Sequence, residues 1–261
     1  MSTTSGLRPP LALVSEGDHY AAAKAYRKII KEWPAEPAPH HNLALVMQRT
    51  GRLMESAQMY LKAMELCEAW AGEGTRDWAL AAASAFDLLR LPECSEMPKP
   101  EWWDNEGLKA LSARVVAVAP NLSQSCNMRA RVLSPSSSGA LSKYPWKPGS
   151  RTAAEIKEAA TWFRRAAMVS HTPAEKLRFE QLASARDAVA DPLLADEEAQ
   201  AAEARAKVKA NAAEARKVAE AKATAAAEEL LAEEEKEKQQ VSTKSKTKQG
   251  KKGKAKGNGK R

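Results

Sequence analysis

Two stretches of this chain carry the same pattern, and their spacing decides the fold. Residues 16–30 read EGDHYAAAKAYRKII, and residues 50–64 read TGRLMESAQMYLKAM. Gly17 and Gly51 are 34 residues apart, and the tyrosine nine residues after each glycine keeps that spacing. A repeat of this length is typical of helical hairpins that stack and share one continuous core. The pair therefore predicts an all-α array of antiparallel helical hairpins.

The composition favours helix and excludes several classes of protein. Of the 261 residues, 44% are hydrophobic and only 5% aromatic, and the abundance of alanine favours helix over sheet. No run approaches the roughly 18 apolar residues of a membrane span, and the N-terminus shows no secretory signal. Three scattered cysteines, Cys67, Cys94 and Cys126, do not make a disulfide framework. We expect an intracellular protein, cytoplasmic or nuclear, with reduced thiols.

Proline, glycine and charge divide the chain into segments. Residues 1–8 are predicted to be disordered, and residues 9–190 to form four hairpins with a terminal capping helix. A Ser- and Pro-rich loop at 134–150 interrupts the array. Residues 191–240, rich in Ala, Glu and Lys, predict a long single helix, with coiled-coil pairing as the alternative. Residues 241–261 form a Lys-rich tail that is predicted to be disordered.

The repeated pattern resembles the tetratricopeptide (TPR) family. That family places Gly at the hairpin turn, a small residue early in the second helix, an aromatic residue four positions later and Ala three after that. The matching positions are Gly17, Ala22, Tyr26 and Ile29 in the first copy, Gly51, Ser56, Tyr60 and Ala63 in the second, and Ala159, Phe163 and Ala166 in a later one. Pro34 matches the proline that ends a repeat, whereas Glu68 departs from it. The resemblance implies a superhelix whose first helices line a concave groove for partner peptides.

The middle of the chain adds a looser resemblance. Residues 101–116 are similar to a segment shared by uncharacterised proteins of unicellular algae, which implies no function. Residues 101–119 are predicted to be helical, with Trp102 and Trp103 at the start. An exposed Trp would suit an interaction hot spot, but we expect both rings to pack against neighbouring helices.

The sequence predicts no enzyme. It contains no Gly-rich phosphate loop and no G-x-S-x-G motif. The only close histidine pair is His40–His41, and no second pair accompanies it, as a zinc site would require. We therefore predict no catalytic residue, no metal, no cofactor and no small-molecule substrate.

A partner groove is what the family resemblance implies. The candidate groove residues are His41, Asn42, Leu45, Gln48 and Arg49 on the second hairpin, Arg76 on the third and Arg129 on the fourth. An amide among basic side chains would suit an acidic peptide or a C-terminal carboxylate. The chaperone-binding branch of the family clamps such a carboxylate with two Lys, two Asn and an Arg. Only Asn42 stands where that clamp needs it, with Leu7 and Leu11 in place of a Lys and an Asn, so this clamp is not predicted.

The basic charge of the chain belongs to its tail. Against a net charge of +8 for the whole chain, residues 241–261 carry nine basic residues and no acidic one. These are Lys244, Lys246, Lys248, Lys251, Lys252, Lys254, Lys256, Lys260 and Arg261. The sequence thus predicts a non-catalytic adaptor that binds a protein segment in its groove. The alternative is a nucleic-acid- or ribosome-associated factor that acts through the tail.

Overall fold

The computed structural model describes residues 10–71, 74–135 and 150–250, with side chains up to residue 238. This part of the chain holds nine α-helices, one short 3-10 helix and no strand, which confirms the predicted all-α class. The helices are α1 (Pro10–Ser15), α2 (His19–Glu32), α3 (Pro37–Arg49), α4 (Leu53–Ala71), α5 (Arg76–Leu89), α6 (Asn105–Val118), α7 (Ser123–Val132), α8 (Ala153–Val169) and α9 (Pro173–Gly250), with the 3-10 helix at Pro92–Cys94. Along 10–195 each helix from α1 to α8 packs on its chain neighbour, as stacked TPR-like hairpins do.

The two glycines of the repeat make the hairpin turns. Gly17 between α1 and α2 has φ +82°, and Gly51 between α3 and α4 has φ +76°. A side chain with a Cβ rarely adopts this left-handed conformation, which glycine reaches at no steric cost. The 34-residue spacing is therefore a repeat of backbone geometry as well as of sequence.

Side-chain caps fix where the helices begin. The Asp18 carboxylate accepts a hydrogen bond from the Ala21 amide at 3.0 Å before α2, and the Thr75 hydroxyl accepts one from the Trp78 amide at 3.2 Å before α5. The Thr-x-x-Glu pattern of Thr152 and Glu155 is the sequence signature of a capping box, and the two residues form both of its bonds at the start of α8. Each such cap contributes roughly 0.5–2 kcal/mol.

The core runs between successive hairpins through small and aromatic side chains. Tyr60 and Phe86 are fully buried, and Trp78 of α5 lies between α4 and α6 with no exposed surface. The Ser56 hydroxyl donates to the Ala44 carbonyl at 2.7 Å, which ties α4 to α3 at a small-residue position of the repeat. The small side chains of buried alanines let the helix backbones approach closely, and this close packing excludes water from them.

Glu68 departs from the family's terminating proline for a structural reason. Its carboxylate accepts a hydrogen bond at 2.7 Å from the indole nitrogen of Trp78. The helix α4 continues past this point to Ala71. A proline here would remove the acceptor of the largest buried side chain in the core.

The helix predicted at 101–119 begins four residues later. Asp104 caps it by accepting from the Gly107 amide at 2.7 Å, so α6 starts at Asn105. Trp102 and Trp103 precede the helix and are partly buried against the core, as expected, with their ring centroids 5.8 Å apart. The Trp102 backbone passes so close to α6 that a Cβ on Gly107 would lie 2.6 Å from its carbonyl oxygen.

The last helix differs from the prediction in its limits. Residues 173–191 do cap the array, since Phe179 stacks on Phe163 and Lys157 pairs with Asp187 and Asp191 at 2.9 and 2.6 Å. However, α9 does not stop before Pro192 but runs through it, although proline has no amide hydrogen to donate. It also continues to Gly250, so residues 241–250 are helical where the sequence predicted a disordered tail.

Contacts divide the chain into two units, 1–195 and 196–261, with the border five residues beyond the predicted one at 190. The predictions for residues 1–8, for 136–149 of the loop and for 251–261 of the tail lie outside the described residues. Among the helices that the structure does describe, none combines the length and the apolar character that crossing a membrane requires.

Candidate functional site

A pocket of about 260 Å³ opens on the second and third hairpins. Residues of three helices, α3, α4 and α5, line it. Its lining residues are Pro37, Ala38, His41 and Asn42 from α3, Ala63 and Cys67 from α4, and Asp77 and Leu80 from α5. Apolar surface and a few polar groups converge here, which is the usual character of a binding pocket.

His41 is held in the pocket wall as a neutral ring. It packs edge-on against Tyr60, with ring centroids 5.1 Å apart and planes at 70°. Burial lowers the pKa of His41 below its ordinary value, and the Asp77 carboxylate only partly opposes that effect. A neutral imidazole offers one hydrogen-bond donor and one acceptor at physiological pH.

Tyr60 also orients the end of α3. Its hydroxyl donates to the side-chain oxygen of Gln48 at 3.3 Å. Burial raises the pKa of Tyr60 to about 12, although a hydrogen bond to Ser84 and the charge of Arg49 oppose this. The phenol therefore stays protonated as a donor, and Gln48 is held at the surface beside Arg49.

Three of the predicted groove residues present polar groups that have no protein partner in the described chain. Asn42 lines the pocket, and its amide has no hydrogen-bond partner among the described residues. Arg49 and Arg76 are exposed, and neither forms an ion pair within the described part of the chain. Leu45 is half-buried beside them on α3. Two cations and a free amide thus lie on the helices that build the pocket.

Arg129 does not belong with this set. Its guanidinium binds the Glu158 carboxylate of α8 at 2.9 Å and the Lys109 carbonyl of α6 at 3.0 Å, and the side chain is only 15% exposed. Arg129 therefore offers no unpaired cation on the fourth hairpin, and its place in a groove stays a prediction. Its physical role is to join α7 to the helices on either side.

Sequence reasoning missed the residues that close the pocket. Asp77 and Leu80 belong to α5, and Leu80 lies one helical turn after the predicted Arg76, a spacing that places both on one face. That relation was a usable signal. Ala63 and Cys67 belong to α4, and nothing in their spacing shows that a pocket reaches them.

Neither a metal centre nor an activated thiol emerges in the described chain. No group of three His, Cys, Asp or Glu side chains there is arranged to hold a metal ion. All three cysteines are free and buried. Burial raises the pKa of Cys67 and of Cys94, and raises that of Cys126 to about 11, which disfavours the reactive thiolate.

The basic tail divides at Gly250. Lys244, Lys246 and Lys248 lie on the helical backbone of α9. The remaining lysines and Arg261 lie outside the described residues.

Comparisons with known proteins add little beyond the fold. No protein-family model and no curated protein matches the chain at a significant level. Among solved structures, the chain is similar to the crystal structure of MamA, with 11% sequence identity and a TM-score of 0.40 over 70% of this chain and 96% of that one. A likeness of this size carries no functional argument, and the TPR-like character rests on the repeat and its turn glycines.

Proposed function

We propose that this protein is a non-catalytic adaptor that binds a segment of a partner protein at the pocket between α3, α4 and α5. The observation that carries the proposal is the free amide of Asn42 in a pocket whose helices also present Arg49 and Arg76 without ion pairs. Polar side chains left without partners beside an apolar pocket are typical of a binding surface.

The pocket chemistry suits a peptide or helix with an apolar residue next to acidic ones. Leu80, Ala63 and Cys67 provide an apolar wall for one side chain. The Asn42 amide can donate to and accept from a peptide main chain, and His41 adds a neutral donor and acceptor. The two arginines favour carboxylates, while Asp77 next to Arg76 disfavours an acidic group directly over the pocket.

Affinity purification with matched variants tests the groove. Asn42→Ala and Arg49→Glu should each lower recovery of the bound proteins at least tenfold, on the order of 1.4 kcal/mol or more. Asn211→Ala on α9 and Arg27→Glu on α2 make the same chemical changes at exposed positions outside the pocket. The controls should retain the partners. If both groove variants retain every partner, the site is misassigned.

The second candidate function rests on the charge of the tail. Nine basic residues without an acidic one in 241–261 suit phosphate contacts in RNA, DNA or the ribosome. Deletion of 241–261 would abolish a steeply salt-dependent RNA or DNA affinity if this function holds. If the deletion leaves the affinity and its salt slope unchanged, the tail function is excluded. We infer an intracellular site of action, cytoplasmic or nuclear, which the three unpaired thiols support.

A further inference from the structure

The second unit contains a helical surface that nothing in the described chain covers. Every described side chain of α9 from 201 to 238 is exposed. The apolar residues among them are no exception: Val208 is 69% exposed, Leu230 65% and Leu231 63%. This exposed apolar surface is available to a partner if it forms one continuous line along the helix.

Charge alternates along this helix in three blocks. The first acidic block, 196–203, holds four acidic residues and no basic one, a net charge of −4. The basic block, 205–222, holds six basic and two acidic residues, net +4. The second acidic block, 228–238, holds six acidic and two basic residues, net −4. Adjacent blocks of equal and opposite charge make the helix complementary to another copy of itself.

Many of these charged side chains form no ion pair within the helix. Ion pairs one turn apart join Glu203 to Lys207, Arg216 to Glu220 and Glu234 to Lys238, all exposed. Such pairs contribute only about 0.3–0.5 kcal/mol each. Several charges in the two blocks have no ion pair in the described chain, among them Lys209, Lys217, Lys222, Glu229, Glu233 and Glu237.

An apolar line between the charges lets a second helix approach. Apolar residues recur at spacings of three and four from 201 to 230 and repeat every eleven residues. They are Ala201, Ala204, Val208, Ala212, Ala215, Ala219, Ala223, Ala226 and Leu230. An eleven-residue repeat keeps one face in line over many turns, unlike the heptad that the sequence lacks. Alanine adds little bulk, so the backbones can pack closely.

We propose that two copies of this protein pair antiparallel through residues 208–238 of α9, with the two-fold axis near Ala223. In this arrangement the basic block of one chain faces the second acidic block of the other, and the same contact recurs on the far side of the axis. A parallel pair in register would oppose like charges along its whole length. The symmetric, closed contact predicts a dimer rather than a filament. This pairing is independent of the pocket on α3–α5.

Sedimentation equilibrium of the full chain tests the pairing. The weight-average mass should rise twofold with concentration at low salt, and the association constant should fall at least tenfold between 0.05 and 0.5 M salt as the charges are screened. A chain that stays monomeric throughout contradicts the proposal. So does a dimer that is insensitive to salt.

Charge reversal identifies the contact. A basic-block variant carries Lys209→Glu, Lys217→Glu and Lys222→Glu, and an acidic-block variant carries Glu229→Lys, Glu233→Lys and Glu237→Lys. Each variant opposes like charges in the pair and should be monomeric alone, with helix content unchanged by circular dichroism. An equimolar mixture should dimerise, because each reversed block then faces its opposite. Dimers of either variant alone, or failure of the mixture to pair, would overturn the proposal.

Disulfide capture fixes the orientation. With diamide as oxidant, Ala223→Cys should give a cross-linked dimer, because the two positions lie at the axis. Ala201→Cys should not, because the two copies are then about 65 Å apart at 1.5 Å per residue. Both positions are exposed in α9, so reactivity is matched. Equal cross-linking at the two positions, or none at 223, contradicts the antiparallel pair.

Discussion

The pocket on α3–α5 and the junction of α6–α8 use similar residues in opposite ways. At the pocket, Arg49 and Arg76 have no ion pair in the described chain. At the junction, Arg129 binds Glu158, and Lys109 binds Glu155 at 2.6 Å. The cations at the junction are paired because the next helix, α8, supplies two carboxylates, those of Glu155 and Glu158. Arg49 and Arg76 stay unpaired because no carboxylate lies within ion-pair distance of them in the described chain, although Asp77 lines the same pocket.

Loss of the core beneath both regions should have the largest effect. Trp78 is fully buried in the cluster that joins α4, α5, α6 and α7. Trp78→Ala removes that volume and orphans Glu68, and should lower the free energy of unfolding by about 3–5 kcal/mol. Urea denaturation followed by circular dichroism measures it. Trp33→Ala, at a site that is 62% exposed, is the control and should change stability by less than about 0.5 kcal/mol.

A methyl group at Gly107 tests the close approach on the junction side. The added Cβ would lie 2.6 Å from the Trp102 carbonyl oxygen and 2.9 Å from its Cα. Because these are backbone atoms, they cannot rotate away, so Gly107→Ala should cost about 1–3 kcal/mol in thermal or urea denaturation. Gly74→Ala has open space around its Cβ and serves as the control. Equal effects at both glycines would contradict the packing described for Trp102.

Neutralising one arginine at a time sharpens the comparison directly. Arg129→Met should lower the free energy of unfolding by about 1–2 kcal/mol, because it breaks charged hydrogen bonds that are mostly shielded from water. Arg76→Met should change it by less than about 0.5 kcal/mol. A double-mutant cycle with Glu158→Gln should show coupling for Arg129 and none for Arg76. The reverse pattern would mean that the open and closed regions are misassigned.

The smallest effect concerns the protonation of His41. The lowered pKa in the folded protein means that the unfolded chain binds this proton more readily once the pH falls below about 6.5. The contribution of His41 to the free energy of unfolding should therefore be fully present at pH 7 and should decline towards pH 5. Urea denaturation at both pH values should show a shallower decline for His41→Gln. Asn211→Ala, which is exposed on α9 and does not titrate, is the control and should keep the wild-type slope.

A second pH window belongs to the junction. Burial raises the pKa of Glu155. The hydrogen bonds from Lys109 and Thr152 and the charge of Lys109 outweigh this effect, so the pKa of Glu155 is lowered overall. Its contribution is thus present above the ordinary carboxylate range, near pH 4, and is lost at lower pH. The pocket and the junction therefore lose stability in separate pH ranges.

The fold was largely predictable because its signals are local. The turn glycines Gly17 and Gly51, the capping box at Thr152 and the 34-residue period each lie within one repeat. The start of α6 was misplaced for two reasons. Asp104 caps the helix without the Glu or Gln of a capping box, and Trp102 and Trp103 were assigned to the helix that they precede.

The site was less predictable because its decisive contacts are not local. Arg129 and Glu158 are 29 residues apart, on helices separated by the loop, so no local spacing shows that they meet. The same holds for the pocket, where α3 and α5 meet only through packing. His41 and Asn42 were predicted because the repeat places them on the first helix of a hairpin, and both line the pocket.

The three buried thiols can report the rate of local unfolding in three parts of the fold. Cys67 lies in α4, Cys94 in the 3-10 helix and Cys126 in α7, and none is more than 4% exposed. Because only an exposed thiolate reacts readily with an alkylating reagent, each labels at the rate at which its surroundings open. Mass spectrometry of the three modified peptides would show whether the hairpins open singly or as one cooperative unit.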